Sequence, residues 1–306
     1  ELPTSSYVAA LGGANISPAN NDINFAFQNP ATLSGRHHQQ IGLNYSDYLA
    51  DIGFGSVMYS HKASEKDFLA VGIQYVDYGN FVYTTEDNVT LGTFSAKDIA
   101  LNLVYSRHLS ENWQIGATLK PIASFMEEYQ SYGIACDIGT SFYYPDIELS
   151  GGLVVKNIGT QIKGYYSENN SQHTENLPIS IQLGISKKLA HAPFRFSLTA
   201  HNLQKWDLSY ASSNSTSVSF VDMLFRHTII GVEFIPSNNF YIALGYNHRR
   251  AADLGLSQVK SLAGFSAGIG LKVYKFNVGF SITQYQLGIL SSQFSITTAL
   301  SSFNIK

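Results

Sequence analysis

The sequence predicts an all-β protein, a fourteen-stranded antiparallel transmembrane β-barrel with an N-terminal plug segment. Three observations carry this prediction. Of 306 residues only 13% are charged, against roughly 25% in a soluble globular chain, while 44% are hydrophobic and 13% aromatic. From Gln40 onward, apolar side chains alternate with small uncharged ones at period two. The connections between these stretches alternate between short and long, as they do in barrels of the bacterial outer membrane.

Composition excludes several classes first. Nineteen Lys+Arg against 22 Asp+Glu give a net charge of -3, so no basic face is available to neutralise phosphates, and nucleic acid is not expected as a partner. The apolar and aromatic content is high enough to offset ordering entropy, which disfavours disorder. A single cysteine, Cys136, permits no intramolecular disulfide and no cysteine-based metal cluster. No stretch approaches the roughly 20 consecutive apolar residues of a transmembrane helix. The shortage of charge therefore calls for a membrane barrel or for an unusually uncharged soluble β protein.

Taken in order, Glu1–Gln39 does not alternate and carries Gly12, Gly13, Pro18, Asn29 and Pro30, all turn formers. Its Val8, Leu11, Ile16, Ile23, Phe25 and Phe27 still need shelter from water, which a barrel lumen supplies. Residues 1–39 are accordingly expected inside the barrel and residues 40–306 to form its wall. In Ser180–Ser186, Ile181, Leu183 and Ile185 alternate with Ser180, Gln182, Gly184 and Ser186. Ile99, Leu101, Leu103 and Tyr105 likewise oppose Asp98, Ala100, Asn102 and Val104, and Phe276, Val278, Phe280 and Ile282 oppose Asn277, Gly279, Ser281 and Thr283. A soluble sandwich alternates too, but its wet face is rich in Lys and Glu. Here the polar face is Gly, Ser, Thr, Asn and Gln, as in Gly264, Ser266, Gly268 and Gly270, which suits a confined lumen.

About fourteen such strands are centred between Leu43 and Thr297, the even number that outer-membrane barrels require. Short turns are expected at 62–66, 108–112, 144–146, 188–192, 236–239 and Tyr274. Long loops are expected at 79–95, 159–176, 205–225 and 248–262, with a tight exception near Leu49. Trp113, Tyr143, Tyr144, Phe240 and Tyr274 border the short turns, and Tyr48, Tyr78, Tyr129, Tyr165, Trp206 and Tyr246 border the long loops, as two interfacial girdles would. The stretch Phe276–Ile305 has no charged residue. Within it Phe294, Ile296, Thr298 and Leu300 read as one lipid-facing row.

The string Val8-Ala-Ala-Leu-Gly-Gly-Ala-Asn15 followed by Phe25-Ala-Phe-Gln-Asn-Pro-Ala31 resembles the N-terminal segment of FadL-like fourteen-stranded outer-membrane proteins. Lys156-Asn-Ile-Gly-Thr-Gln-Ile162 and the run Leu177–Trp206 are similar to the PorV/PorQ branch of the type IX secretion system, on its PorQ side. The resemblance spans essentially the whole chain, although its N-terminal pattern specifies only the superfamily. It implies a noncatalytic anchor in the bacterial outer membrane, a subunit of the attachment complex with PorU, PorV and PorZ. PorZ is the chief partner so implied, with outer-membrane lipid and lipopolysaccharide around the barrel. In that family PorU carries the cysteine-dependent chemistry. A PorV-like cargo shuttle and a FadL-type transporter of hydrophobic molecules stand as the alternatives.

No catalytic, cofactor or metal site is expected. The nine histidines are scattered apart from His37 and His38, Cys136 has no adjacent His or basic residue, and no Gly-x-Ser-x-Gly elbow is present. Asp98, Lys120, Lys156, Arg195, Arg226 and Glu233 are expected on inner faces, paired across the lumen or with the plug. Gly12, Gly13, Asn29 and Pro30 form the plug motif. On the outer loops Tyr83, Tyr165, Tyr166, Trp206, Tyr210, Arg249 and Arg250 are the candidate partner-binding residues, since aromatics and Arg dominate interface energies. An interrupted strand or an apolar lumenal pocket favours transport; a broad apolar or aromatic patch on the outer loops favours anchoring.

Overall fold

The computed structural model describes residues 2–17, 20–49, 52–87, 89–165, 167–168, 171–172, 174–208, 219–254, 262–286 and 289–303. Fourteen antiparallel strands close into one barrel. They are β1 Gln40–Asp47, β2 Gly53–Lys62, β3 Asp67–Thr84, β4 Thr90–His108, β5 Trp113–Met126, β6 Tyr129–Tyr144 and β7 Leu149–Lys163. After a separate two-stranded hairpin, β8 Ser167–Glu168 and β9 Ser171–Gln172, come β10 Ser180–Lys188, β11 Phe194–Ala200, β12 Thr228–Ser237 and β13 Phe240–Asn247. β14 Phe265–Val273, β15 Phe276–Gln286 and β16 Ile289–Ala299 complete the wall. Each strand pairs with its neighbours in sequence, β10 follows β7 across the hairpin, and β16 closes on β1 from Gln40↔Ala299 to Asp47↔Ser292.

The period-two pattern sets which side of the wall each residue occupies. Leu183 is 53% exposed on the outer surface, while its neighbour Gln182 is 1% exposed on the inner one. Leu103 and Tyr105 lie outward around buried Asn102 and Ser106, and Phe280 and Ile282 outward around buried Ser281 and Thr283. Outward Leu, Ile, Val and Phe over nearly every strand, with Ser, Thr, Asn and Gln inside, is the reverse of a soluble protein and matches a lipid-facing surface. No helix among the described residues is long and apolar enough to cross a membrane.

Two expectations are corrected. The stretch 79–95, read as a loop, is mostly strand: β3 and β4 run for 18 and 19 residues, well past the 9–11 or so that cross a bilayer. Pairing continues from Asn80↔Ser95 to Thr84↔Thr90, and Phe81 stacks on Phe94 at 5.3 Å. Cross-strand aromatic contact sustains the hairpin where composition alone reads as loop. The stretches 205–225 and 248–262 contain short helices, α2 Phe220–Arg226 and α3 His248–Leu254, so Arg226 sits on a helix and not on an inner strand face. Thr298 keeps the outward side of β16, opposite Ile41 and Phe276, but is covered there to 7% exposure; its hydroxyl donates to the Lys275 carbonyl, and the chain turns into a 3-10 turn at Leu300–Phe303.

β6 and β7 slip register between Cys136 and Ile138, where Asn157 takes φ 60°. The inward Asp137 carboxylate at this bulge accepts from the Asn157 N–H at 2.7 Å and pairs with Lys120 at 2.7 Å. A buried cation and anion thus satisfy one another inside the wall.

Candidate functional site

The lumen is occupied by the N-terminal segment, and the details of its seating define the candidate site. Helix α1, Ser6–Ala10, begins where the Ser5 hydroxyl accepts from the Val8 N–H, and it ends at Gly12 and Gly13, with φ of 94° and 99°. Left-handed backbone of this kind lets the chain leave the helix abruptly, which suits glycine at both positions. The α1 backbone is bound to the wall directly. The Ser6 N–H donates to Ser295 Oγ at 2.8 Å, and the Gly12 N–H donates to Ser266 Oγ at 3.0 Å. A Cβ on Gly245 would lie 2.1 Å from the Gly12 nitrogen, so only glycine in the wall admits this approach.

The second anchor is Asn29-Pro30. The Asn29 amide donates to the carbonyls of Ile16 and Thr140, and its Oδ1 accepts from the Ala31 N–H, which starts the 3-10 turn Pro30–Thr32. A Cβ on Gly139 would lie 2.1 Å from that Asn29 Oδ1. Small inner-wall residues are therefore the mould into which the plug fits. Ile23, Phe27 and Leu33 pack with Met58, Phe68 and Val104 as one apolar cluster, and Tyr7, Leu11 and Phe25 with Ala243 as another.

One polar contact reaches through the second cluster. The Tyr7 hydroxyl donates to Glu233, which also pairs with Arg195 at 3.3 Å, and the Tyr7 ring stacks on Tyr241 with centroids 4.0 Å apart. Glu233 is fully buried. Buried ions persist when paired and hydrogen-bonded, and here the plug supplies one of the bonds.

Two chambers flank the plug. At the short-turn end a pocket of about 290 Å³ is lined by Ser17, Asn20, Arg36, His108 and Tyr143 among others, and Arg36 lies over the Tyr143 ring. At the long-connection end a pocket of about 300 Å³ is lined by Gly13, Ala14, Tyr48, Ile229, Arg250 and Tyr285 among others. Between them runs Asn15–Ser17, where Ser17 Oγ meets Ser186 Oγ at 2.7 Å. Solute crossing the barrel by this line must displace that stretch.

The candidate partner-binding residues are scattered. Tyr83 lies exposed on the β3–β4 hairpin and Tyr165 lies exposed beyond β7. Trp206 stacks on His227 at 5.3 Å and meets Phe220 at 5.2 Å. Arg249 pairs with Asp253 at 3.3 Å, whereas its neighbour Arg250 turns inward over the Tyr285 ring at 4.5 Å and lines the upper chamber. The two adjacent guanidiniums therefore do not act as a pair, because successive residues on α3 point about 100° apart. Tyr166 and Tyr210 lie outside the described residues. Of the inner charges, Lys120 pairs with Asp137 and Arg195 with Glu233, while Asp98 accepts from the Tyr78 hydroxyl at 2.7 Å and Lys156 is buried. Arg226 instead joins Asp222 and Asp253, each at 2.8 Å. Sequence reasoning missed Tyr7 and Tyr241; their contacts, Tyr7 with Glu233 and Tyr7 with Tyr241, each join residues more than 200 positions apart, so no local signal marks them.

The architecture defines a class of fold: a closed fourteen-stranded antiparallel β-barrel with its N-terminal segment inside. The chain is similar over 97% of its length to the CymD monoaromatic hydrocarbon channel, at 13% identity with a TM-score of 0.59 and 98% of that chain covered. The toluene transporter TodX of Pseudomonas putida is as similar, at 13% identity and a TM-score of 0.59, with 97% of each chain covered. A Pseudomonas aeruginosa FadL homologue follows at 12% identity and a TM-score of 0.55, covering 97% of this chain and 98% of its own. At these identities the likeness is one of fold. No protein-family model and no curated protein matches the chain. The PorQ-type resemblance rests on sequence strings alone.

Proposed function

We propose that this protein is an outer-membrane channel of the FadL type that admits small hydrophobic molecules. One observation carries the reading: an N-terminal segment divides the lumen into two chambers, in a barrel similar end to end to hydrocarbon channels. The chamber at the long-connection end sets Tyr48, Ile229, Leu254 and Tyr285 among polar residues such as Gln182, His201, Asn247 and Arg250, and about 300 Å³ is ample for a substituted benzene ring. The plug confines passage to molecules able to slip past it. Uptake of labelled toluene by cells carrying the protein in the outer membrane tests the reading. Uptake above that of cells without it is expected, and Ala14→Trp, which fills the upper chamber, should remove the gain. Equal uptake with and without the protein refutes the proposal.

A second reading is the noncatalytic anchor of a type IX attachment complex, supported by the PorQ-like run Leu177–Trp206 and by exposed Tyr83 and Tyr165 at the long-connection end. Shortening the β3–β4 hairpin and the β7–β10 connection should then release PorZ into the medium while the barrel still inserts. PorZ retained on the surface sinks this reading.

A further inference from the structure

We propose that α2 together with Trp206 forms an interfacial anchor that lies in the outer leaflet of the bilayer, extending the lipid-facing band of the barrel above β11 and β12. The inference rests on the reading of the chain as an outer-membrane barrel. It starts from the two faces of α2. Asp222, Met223 and Arg226 form one side. The other side consists of Phe220, Val221, Leu224 and Phe225, spaced as i, i+1, i+4 and i+5, and these four are between 47% and 68% exposed.

The polar side fixes the direction of the apolar one. Arg226 bridges Asp222 and Asp253 at 2.8 Å each, and His248 meets Asp222 at 2.7 Å, so that side is bound to α3. α3 itself sits over the lumen, since its Arg250 reaches Gly13 of the plug and the inward Tyr285. Phe225, at the edge of the apolar side, meets the His248 ring of α3 at 5.8 Å, which leaves Phe220, Val221 and Leu224 turned away from the barrel axis. Met223 is buried and receives the Leu208 N–H on its sulfur at 3.4 Å, which pins the helix from beneath.

What covers that side follows from what it adjoins. α2 leads into β12 through His227; Thr228 is the first outward residue of β12, its hydroxyl bound to the Phe225 carbonyl of α2, and Ile230 is the first large apolar one of the lipid-facing surface. Outward Leu198 and Phe196 continue the same surface on β11. The apolar side of α2 is therefore contiguous with lipid-facing wall rather than isolated in water. Trp206 is half exposed and packed on Phe220, and Lys205 is exposed beside it; an amphipathic ring with a neighbouring cation is the composition of the headgroup zone. A patch of this apolarity left in water would be unusual for a monomeric surface.

The two tryptophans make the test direct. Trp113 sits at the start of β5 in the short-turn girdle and serves as the control. Single-tryptophan variants Trp113→Phe and Trp206→Phe of the full chain are reconstituted in phosphatidylcholine vesicles whose acyl chains carry bromine either near the head group or near the bilayer centre. Shallow bromine should quench most of the Trp206 emission and deep bromine little of it, and adding Phe220→Asp with Leu224→Asp should reduce the shallow quenching while the Trp113 signal stays quenched. Quenching of Trp113 with none of Trp206 overturns the anchor and leaves the barrel reading standing. Quenching of neither overturns the barrel reading itself. If Trp206 escapes both bromines yet becomes shielded from iodide once outer-membrane proteins are added, the surface docks a protein and the lipid assignment is wrong.

Discussion

Tyr7 donates its hydroxyl to Glu233 across 226 positions of sequence, so a residue of the plug hydrogen-bonds a buried carboxylate on the wall. Arg195 supplies the countercharge at 3.3 Å. The three groups make a charged latch between two parts of the chain that also meet through apolar contacts and neutral hydrogen bonds such as Ser17 Oγ to Ser186 Oγ.

The latch predicts an order of costs. Glu233→Leu leaves Arg195 buried without its anion and should destabilise by about 3–5 kcal/mol. Tyr7→Phe removes one hydrogen bond to a charged acceptor while the ion pair survives, and should cost about 1–3 kcal/mol. Urea unfolding in lipid vesicles reads both. A Tyr7→Phe cost equal to that of Glu233→Leu contradicts the latch.

Opposite faces of one strand should respond unequally to charge. Leu183→Arg puts a guanidinium into lipid and should cost about 2–4 kcal/mol. Gln182→Arg points into the upper chamber, where a charge finds water and polar neighbours, and should cost less. The same unfolding assay decides, and equal costs speak against the assigned faces.

Conductance tests the plug. The intact chain should conduct negligibly in planar bilayers, and deletion of residues 2–39 should raise conductance. Gly245→Val forces a side chain into the Gly12 backbone and should raise it too, whereas Gly92→Val, which meets open space on the hairpin, should not. A large steady current through the intact chain sinks the model.

His37 gives the plug a pH dependence. Burial, aided by the neighbouring Arg36, pushes its imidazole down to about 4. The folded state therefore holds the neutral ring, whose Nδ1 accepts from the Ser34 N–H at 3.1 Å. Between the ordinary value near 6.5 and about 4, the unfolded chain binds a proton that the folded one does not, so the stability contributed here is full above that window and declines as pH falls through it. Hydrogen exchange at residues 34–40, corrected for intrinsic rate, should quicken between pH 7 and 4, and His37→Asn should flatten the trend. Unchanged protection across that range contradicts it.

The wall was legible because a strand's alternation is local: whether Leu183 faces out and Gln182 in follows from period two, whatever the rest of the chain does. Girdle aromatics and charge depletion are equally local, and they identify the solvent. That Lys120, Arg195 and Glu233 lie inside was readable on the same ground. Their partners were not. Closing the barrel brings Asp137 to Lys120 and Tyr7 to Glu233, and those meetings depend on register, on a bulge at Asn157, and on glycines that let the plug approach within backbone contact. The 79–95 stretch read as a loop became a paired hairpin through Phe81 and Phe94, and Arg249 and Arg250 parted because both lie on a short helix. Periodicity fixes direction along a strand; only packing in three dimensions selects which distant groups face one another.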